Sequence, residues 1–98
     1  MHGAFKTPGG KLVQVDFDLE NERLRNVEVS GDFFLYPDDA LTAITASVEG
    51  SPADMSIAER TAAILAAMPS GAEWLGSSPH ALATAIERAL LADMDTYE

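Results

Sequence analysis

Alternation of apolar and polar side chains over residues 12–20 is the feature that most restricts the fold of this 98-residue chain. Val13, Val15, Phe17 and Leu19 recur at every second position, with acidic or amide side chains between most of them. This is the period of a β-strand with one face in a core and the other in water. The carboxylates on the outer face could bind a cation, but such a row is more typical of a solvated strand face.

The following residues predict a β-hairpin whose second strand contains an irregularity. Asn21-Glu22 suits a two-residue turn, and the second strand begins near Arg23. That turn sets Phe17 opposite Asn26, which wastes an apolar position. One extra residue in the second strand restores three core pairs: Phe17 with Val27, Val15 with Val29 and Val13 with Gly31. We therefore predict a β-bulge near Arg25-Asn26.

The run Val29-Ser30-Gly31-Asp32-Phe33-Phe34-Leu35-Tyr36-Pro37 predicts the joint between sheet and helices. Gly31 indicates a bulge or a close backbone approach, and Asp32 is interpreted as a satisfied strand-end carboxylate above a core. After this step, Phe33 and Leu35 share one face of a third strand, and the aromatic residues at 34 and 36 share the other. A strand that is apolar on both faces is covered twice within its domain or once by another protein.

Three helices should follow. The first spans about 37–48 with Pro37 in its first turn, and the second begins at Ser56, which forms a capping box with Glu59 and ends before Pro69. The third begins at Ser78-Pro79. Residues 1–7 are predicted to be an arm, and Trp74-Leu75 a buried plug in a loop.

This order of elements predicts an α+β fold in one domain, residues 1–98. It would be a two-layer structure, with a three-stranded antiparallel sheet followed by three helices packed on one face.

Composition excludes several function classes. The chain has 16 acidic and 6 basic side chains and a net charge of −10, which argues against nucleic acid and anionic membrane surfaces as partners. The acidity suits a basic partner or a protein that works in high salt. The chain has no cysteine. It also shows neither a charged leader nor a long apolar run, so a cytoplasmic protein is expected.

The side chains offer little catalytic chemistry. No serine lies in a nucleophile elbow, and His2 and His80 lack metal-ligand spacing, so no catalytic or metal-binding residue is assigned. Pro8-Gly9-Gly10-Lys11 is the one stretch suited to an anion, because its glycines free backbone N–H groups. Both lysines of the chain, Lys6 and Lys11, lie here. It is not a P-loop, since it leads into a strand, and a simple solvated turn is the alternative interpretation.

Two motifs together resemble a known family. The stretches Lys6-Thr7-Pro8-Gly9-Gly10-Lys11-Leu12-Val13 and Val27–Pro37, with Ser78–Leu90, resemble the C-terminal accessory domain of bacterial lipoate-protein ligase A. The chain is most similar to the free-standing small (LplB-type) subunit of the split archaeal ligases. The resemblance covers most of the chain and implies a SufE/NifU-like fold, although the lack of cysteine excludes sulfur-acceptor or cluster-scaffold chemistry.

The resemblance also implies a role. In this family a larger catalytic subunit binds ATP, Mg and lipoate, makes lipoyl-AMP, and transfers the lipoyl group to a lysine of a lipoyl-domain protein. The small subunit is needed for activation, carries no catalytic group and binds none of these cofactors alone. It forms a heterodimer with the catalytic subunit and meets the lipoyl-domain acceptors only indirectly.

We therefore expect two segments to form a docking site for the catalytic subunit at one end of the sheet. They are the glycine turn, Pro8-Gly9-Gly10-Lys11, and the step Gly31-Asp32-Phe33-Phe34. Lys6 or Lys11 would then lie near the nucleotide phosphates. The alternative is a non-catalytic protein-interaction module that uses the same fold for another partner.

Overall fold

The computed structural model describes residues 1–95 and has an α+β architecture. Its elements, in chain order, are β1 (His2–Lys6), β2 (Leu12–Glu20), β3 (Arg23–Gly31), β4 (Phe34–Tyr36), α1 (Ala40–Val48), α2 (Ile57–Ala67), β5 (Glu73–Leu75) and α3 (Pro79–Asp95). Within this part of the chain, no helix is long and apolar enough to cross a membrane.

The hairpin of β2 and β3 confirms the predicted turn and bulge. Asn21 and Glu22 both have positive φ, as a two-residue hairpin turn requires. The register pairs Leu19 with Leu24 and then shifts by one residue, so that Val15 lies opposite Val29. Asn26 supplies the extra residue with a φ of 56°. The bulge keeps the apolar side chains of both strands on the core face.

The three-stranded sheet differs from the prediction in which strands form it. Its order is β1-β2-β3, with antiparallel neighbours throughout. Residues 1–7 are therefore not an arm, because His2–Lys6 pairs with Leu12–Asp16. Gly3 explains how this short strand fits, since a Cβ atom there would lie only 2.1 Å from the carbonyl oxygen of Ala85 in α3. The missing side chain lets α3 pack directly on the strand.

The segment predicted as the third strand belongs to a separate sheet. Residues Phe34–Tyr36 form β4, which pairs antiparallel with β5 in a two-stranded sheet. The prediction of a loop around Trp74 was therefore wrong, because that residue lies in β5 opposite Leu35. Its side chain is half-buried.

Two of the three helices lie on the larger sheet, and the third packs on these two helices instead of on the strands, so the predicted packing of three helices on one face is confirmed only in part. Helix α1 packs against β3, α3 packs against β1 and β2, and α2 packs against both other helices. The largest side chains in the core come from both layers: Val13, Val15, Phe17, Leu24, Ile44, Val48, Ile64, Leu82 and Ile86. The opposite face of β2 is exposed at Asp16 and Asp18, so the acidic row is a solvated surface.

The local sequence signals predicted the start of α2 correctly but placed the start of α1 too early. Helix α1 begins at Ala40 and not at Pro37, and its N-cap residue Asp39 makes no side-chain cap hydrogen bond. In α2 the predicted capping box is present, since Ser56 Oγ accepts from the Glu59 N–H and Glu59 Oε1 accepts from the Ser56 N–H.

One buried charge was not predicted from the sequence. Arg60 in α2 is only 2% exposed, and its guanidinium donates to Ser51 Oγ at 2.9 Å and to the Pro52 carbonyl oxygen at 2.7 Å. Burial lowers the pKa of Arg60 from its ordinary value, and the charges of Glu87 and Asp54 oppose this shift. Arg60 thus holds the connection between α1 and α2 against the core.

Candidate functional site

The glycine turn joins β1 to β2 at one end of the larger sheet. Its backbone is held by two hydrogen bonds of 2.7 Å: Gly10 N–H donates to the Thr7 carbonyl oxygen, and Lys11 N–H donates to the Gly76 carbonyl oxygen. Pro8 and Gly9 are exposed, and so are Lys6 and Lys11 on either side of the turn. Both amines of the chain's lysines are therefore available at this end.

The Gly31 step lies directly beside this turn. Gly31 pairs with Val13, and the Asp32 N–H donates to the Leu12 carbonyl oxygen at 3.1 Å. A Cβ atom on Gly31 would lie 2.2 Å from that same oxygen, so the predicted close backbone approach is confirmed. The two predicted segments thus meet at one end of the sheet. Asp32 directly follows β3 and is exposed, so its carboxylate lies at the end of the strand, in solvent.

The two phenylalanines of the step have different environments. Phe33 is half-buried and meets Trp74 edge to face, with ring centroids 5.3 Å apart. Phe34 is 62% exposed. Phe33 therefore anchors the small sheet to the core, whereas Phe34 is free to contact another molecule.

Sequence reasoning did not assign three residues that the fold brings to this end. Tyr36 is 60% exposed on the same face as Phe34, and Leu75 is 56% exposed opposite Phe34 on β5. Gly76 follows and touches the glycine turn, since a Cβ atom there would lie 2.6 Å from Lys11 Cγ. The alternation in β4 does predict that Tyr36 shares a face with Phe34, but no local signal connects that face to Leu75.

Buried polar atoms with incomplete bonding are also concentrated here. Thr7 Oγ1, Trp74 Nε1 and Ser77 Oγ are the buried side-chain atoms that have no hydrogen-bond partner among residues 1–95. Thr7 precedes the glycine turn, and the other two lie in or just after β5. Buried polar groups are nearly always hydrogen-bonded, so these three atoms are exceptions within the folded chain, and all three lie near the glycine turn and β5.

The histidines lie elsewhere and are not brought together. His2 Nδ1 is 2.9 Å from Asp16 Oδ1 on the solvated face of the sheet, and His80 is exposed in the first turn of α3. The described part of the chain contains no group of three or more histidine or carboxylate side chains placed to hold a metal ion.

A cleft of about 750 Å³ opens at the opposite end of the sheet. Its walls combine apolar side chains of β2 and α3, such as Leu19 and Leu91, with the charged residues Arg23, Asp54 and Glu87. Among the described residues, its lining contains no histidine, serine or glycine-rich backbone, and so offers neither a hydroxyl or imidazole nucleophile nor an anion-binding loop. The glycine-turn end is the better candidate for function.

Comparison with known proteins gives two similarities, although no protein-family model matches this sequence. The chain is 35% identical over 40 residues to lipoate-protein ligase A subunit 2 of Thermoplasma acidophilum. That alignment covers 41% of this chain and 43% of the relative, so it spans less than half the length of the protein that it matches.

The second similarity is structural. A chain from a solved archaeal lipoylation system of Thermoplasma acidophilum, described as a bi-partite lipoate protein ligase and its E2 lipoyl domain, superposes with a TM-score of 0.70. The superposition covers 88% of this chain and 92% of the other at 24% sequence identity. The two chains therefore share a fold.

Proposed function

We propose that this chain is the small accessory subunit of a split lipoate-protein ligase and forms a heterodimer with a separate catalytic subunit. The observation that carries the proposal is the combination of both similarities. A 35% identical segment and a fold match over 88% of the chain lead to the same archaeal system. The SufE/NifU-like relationship and a cytoplasmic location are part of the same proposal.

The proposed reaction proceeds in two steps on the complex. In the first, a carboxylate oxygen of lipoate attacks the α-phosphorus of Mg-bound ATP, forming lipoyl-AMP and releasing pyrophosphate. In the second, the ε-amine of a lysine in a lipoyl-domain protein attacks the acyl carbon, forming an amide and releasing AMP and a proton. In this proposal the nucleophile and the bases of both steps belong to the partner proteins and the substrates, and not to this chain.

The part of this chain in the first step is to complete the adenylation site. Docking of the glycine-turn end would exclude water from the reacting phosphate and fix the position of the nucleotide. The exposed amine of Lys6 or Lys11 would stabilise the negative charge that develops on the phosphates. The backbone N–H group of Gly9 is a further donor of the kind that binds anions, whereas that of Gly10 is bonded to the Thr7 carbonyl oxygen.

The decisive test is reconstitution. The purified chain is mixed with a lipoate-protein ligase catalytic domain encoded in the same genome, together with lipoate, ATP and Mg²⁺, and pyrophosphate release is measured with and without the chain. We expect release to require both proteins and to saturate at equal stoichiometry.

Full pyrophosphate release by the catalytic protein alone, or failure of the two proteins to associate, would contradict the proposal. A stable complex with an unrelated partner, found together with no effect on lipoate activation, would support the alternative of an interaction module. The lipoyl-domain acceptor serves as an internal check, because its lysine is modified only if the second step also occurs.

A further inference from the structure

Three of the four side chains on the outer face of the β4–β5 sheet are apolar although this face is exposed to solvent, and the fourth is Glu73. Phe34, Tyr36 and Leu75 share this face, and each is more than half exposed, at 62%, 60% and 56%. We call these three residues the β4–β5 face. Of the other exposed large apolar side chains in the described part of the chain, Leu19 and Leu91 line the cleft at the opposite end of the sheet, and Leu65 lies on α2. The β4–β5 face is thus a cluster and not a scatter of single residues.

The outer face of the larger sheet, which is also exposed to solvent, has a polar composition along β2. The outward-facing positions of β2 carry carboxylates such as Asp16 and Asp18, whereas those of β4 carry Phe34 and Tyr36. An isolated two-stranded sheet is marginally stable in water, and aromatic side chains on its outer face add an unfavourable exposed area. An apolar outer face is favourable when another protein covers it.

Charge distinguishes between the possible occupants. Carboxylates predominate next to the β4–β5 face: Asp32 precedes β4, Asp38 and Asp39 follow it, and Glu73 lies opposite Tyr36, whereas Lys11 beside Gly76 is an exposed cation at this edge. In a two-fold dimer, the acidic residues around this face would lie opposite those of the second copy. Because each copy carries a net charge of −10, this contact would be repulsive. The occupant is therefore a protein surface with an apolar centre and a basic rim.

Position connects this face to the proposed site. The Lys11 N–H bonds to the Gly76 carbonyl oxygen at 2.7 Å, and Gly76 directly follows Leu75. A partner that covers Leu75 would therefore meet the glycine turn at the edge of the same surface. From these observations we infer that the β4–β5 face binds an apolar, basic-rimmed surface of the catalytic subunit, an inference that rests on the function proposed above.

The test uses side chains that are matched in exposure. Phe34→Ser and Leu75→Ser each remove part of the face, whereas Leu65→Ser removes a leucine that is 60% exposed on α2. Affinity for the catalytic subunit is measured by titration calorimetry with the full chain, after circular dichroism has shown equal helix content. We expect Kd to rise at least about tenfold for each variant of the face and to change less than about twofold for Leu65→Ser.

A kinetic readout separates docking from chemistry. At high concentration of the Leu75→Ser chain, we expect maximal pyrophosphate release to return to the wild-type value, because the variant weakens association alone. Raising the salt concentration should increase the wild-type Kd, because a basic rim meets an acidic one.

Each of the other outcomes has a distinct meaning. Unchanged Kd in both variants of the face, with a wild-type chain that binds and activates, would overturn this inference and leave the proposed function standing. A wild-type chain that does not bind the catalytic subunit would overturn both. A wild-type chain that dimerises by itself, and becomes monomeric as Leu75→Ser, would show that a second copy covers the face and would overturn the choice of partner.

Discussion

The backbone N–H of Lys11 donates to the carbonyl oxygen of Gly76 over 2.7 Å, and this bond ties the larger sheet to the β4–β5 sheet. The Lys11 side chain also lies close to the Gly76 backbone, since a Cβ atom added to Gly76 would lie 2.6 Å from Lys11 Cγ. The glycine turn and the β4–β5 face are consequently one structural unit, although some 65 residues separate them in sequence.

Substitution of Gly76 by alanine should break this connection. Gly76 has a φ of +87°, so Gly76→Ala adds backbone strain to the clash with Lys11. Gly71→Ala is the matched control, because Gly71 has a φ of +79° and no atom within 4 Å of the added Cβ. We expect Gly71→Ala to cost about 1 kcal/mol in unfolding free energy and Gly76→Ala about 1–3 kcal/mol more. Equal values in denaturant titrations would contradict the contact.

Removal of the Lys11 amine should slow lipoate activation selectively. We expect Lys11→Ala to reduce pyrophosphate release at least about tenfold and to leave transfer from premade lipoyl-AMP unchanged, because only the first step builds charge on the phosphates. Lys6→Ala is assayed in the same way. Arg23→Ala is the control, since it removes an exposed cation from the opposite end of the sheet. Equal losses in activation and transfer would argue against a phosphate contact.

Glu49 closes the irregular edge of β3. Its carboxylate accepts the N–H of Asn26 at 3.2 Å and the N–H of Val27 at 2.9 Å, which are the donors freed by the bulge. Glu49→Gln leaves one acceptor oxygen and removes the charge, and we expect a loss of about 1–2 kcal/mol in unfolding free energy. The control is Glu28→Gln, an exposed position on β3. The prediction fails if the two variants unfold at the same denaturant concentration.

The capping box of α2 should make stability depend on pH. Hydrogen bonds from the Ser56 backbone and side chain lower the pKa of Glu59 below its ordinary value. A lowered pKa in the folded state stabilises the protein above the pKa of the unfolded chain, and this contribution is lost as pH falls through the folded value.

Ser56→Ala tests this dependence. Loss of an N-cap serine costs about 1 kcal/mol in unfolding free energy, and the difference from wild type should be larger at neutral pH than in acid. This difference in stability is measured by thermal unfolding of both proteins at pH values from 7 down to about 3. The lower limit lies below the ordinary pKa of a glutamate. A difference that stays constant over this range would show that Glu59 does not contribute.

Close packing of β1 on α3 predicts a strong effect of one methyl group. A Cβ atom on Gly3 would lie 2.1 Å from the Ala85 carbonyl oxygen and 2.8 Å from Ala89 Cβ. We expect Gly3→Ala to destabilise the protein by about 1–3 kcal/mol or more, because helix and strand must separate. Gly9→Ala adds the same methyl group where no atom lies within 4 Å, and should cost only the strain of its φ of +75°. The melting temperatures of the two variants measure this difference in stability.

Local patterns in the sequence were sufficient for the hairpin and for the capping box of α2. The alternation in β2, the turn residues Asn21-Glu22 and the polar residue Asn26 together determine the register and the bulge, because a slip of one residue would expose the core face. Likewise, the meeting of the glycine turn with Gly31 follows from the hairpin register alone, since Gly31 pairs with Val13.

Only the tertiary structure decided which strands pair outside the hairpin. Residues 2–6 carry no strand pattern of their own and become β1 because β2 offers an edge and Gly3 allows α3 to approach. Residues 34–36 pair with Glu73–Leu75, which lie nearly 40 positions later in the chain. Such pairings depend on long-range contacts that no local period encodes, and they alone bring Leu75 and Gly76 to the proposed docking surface.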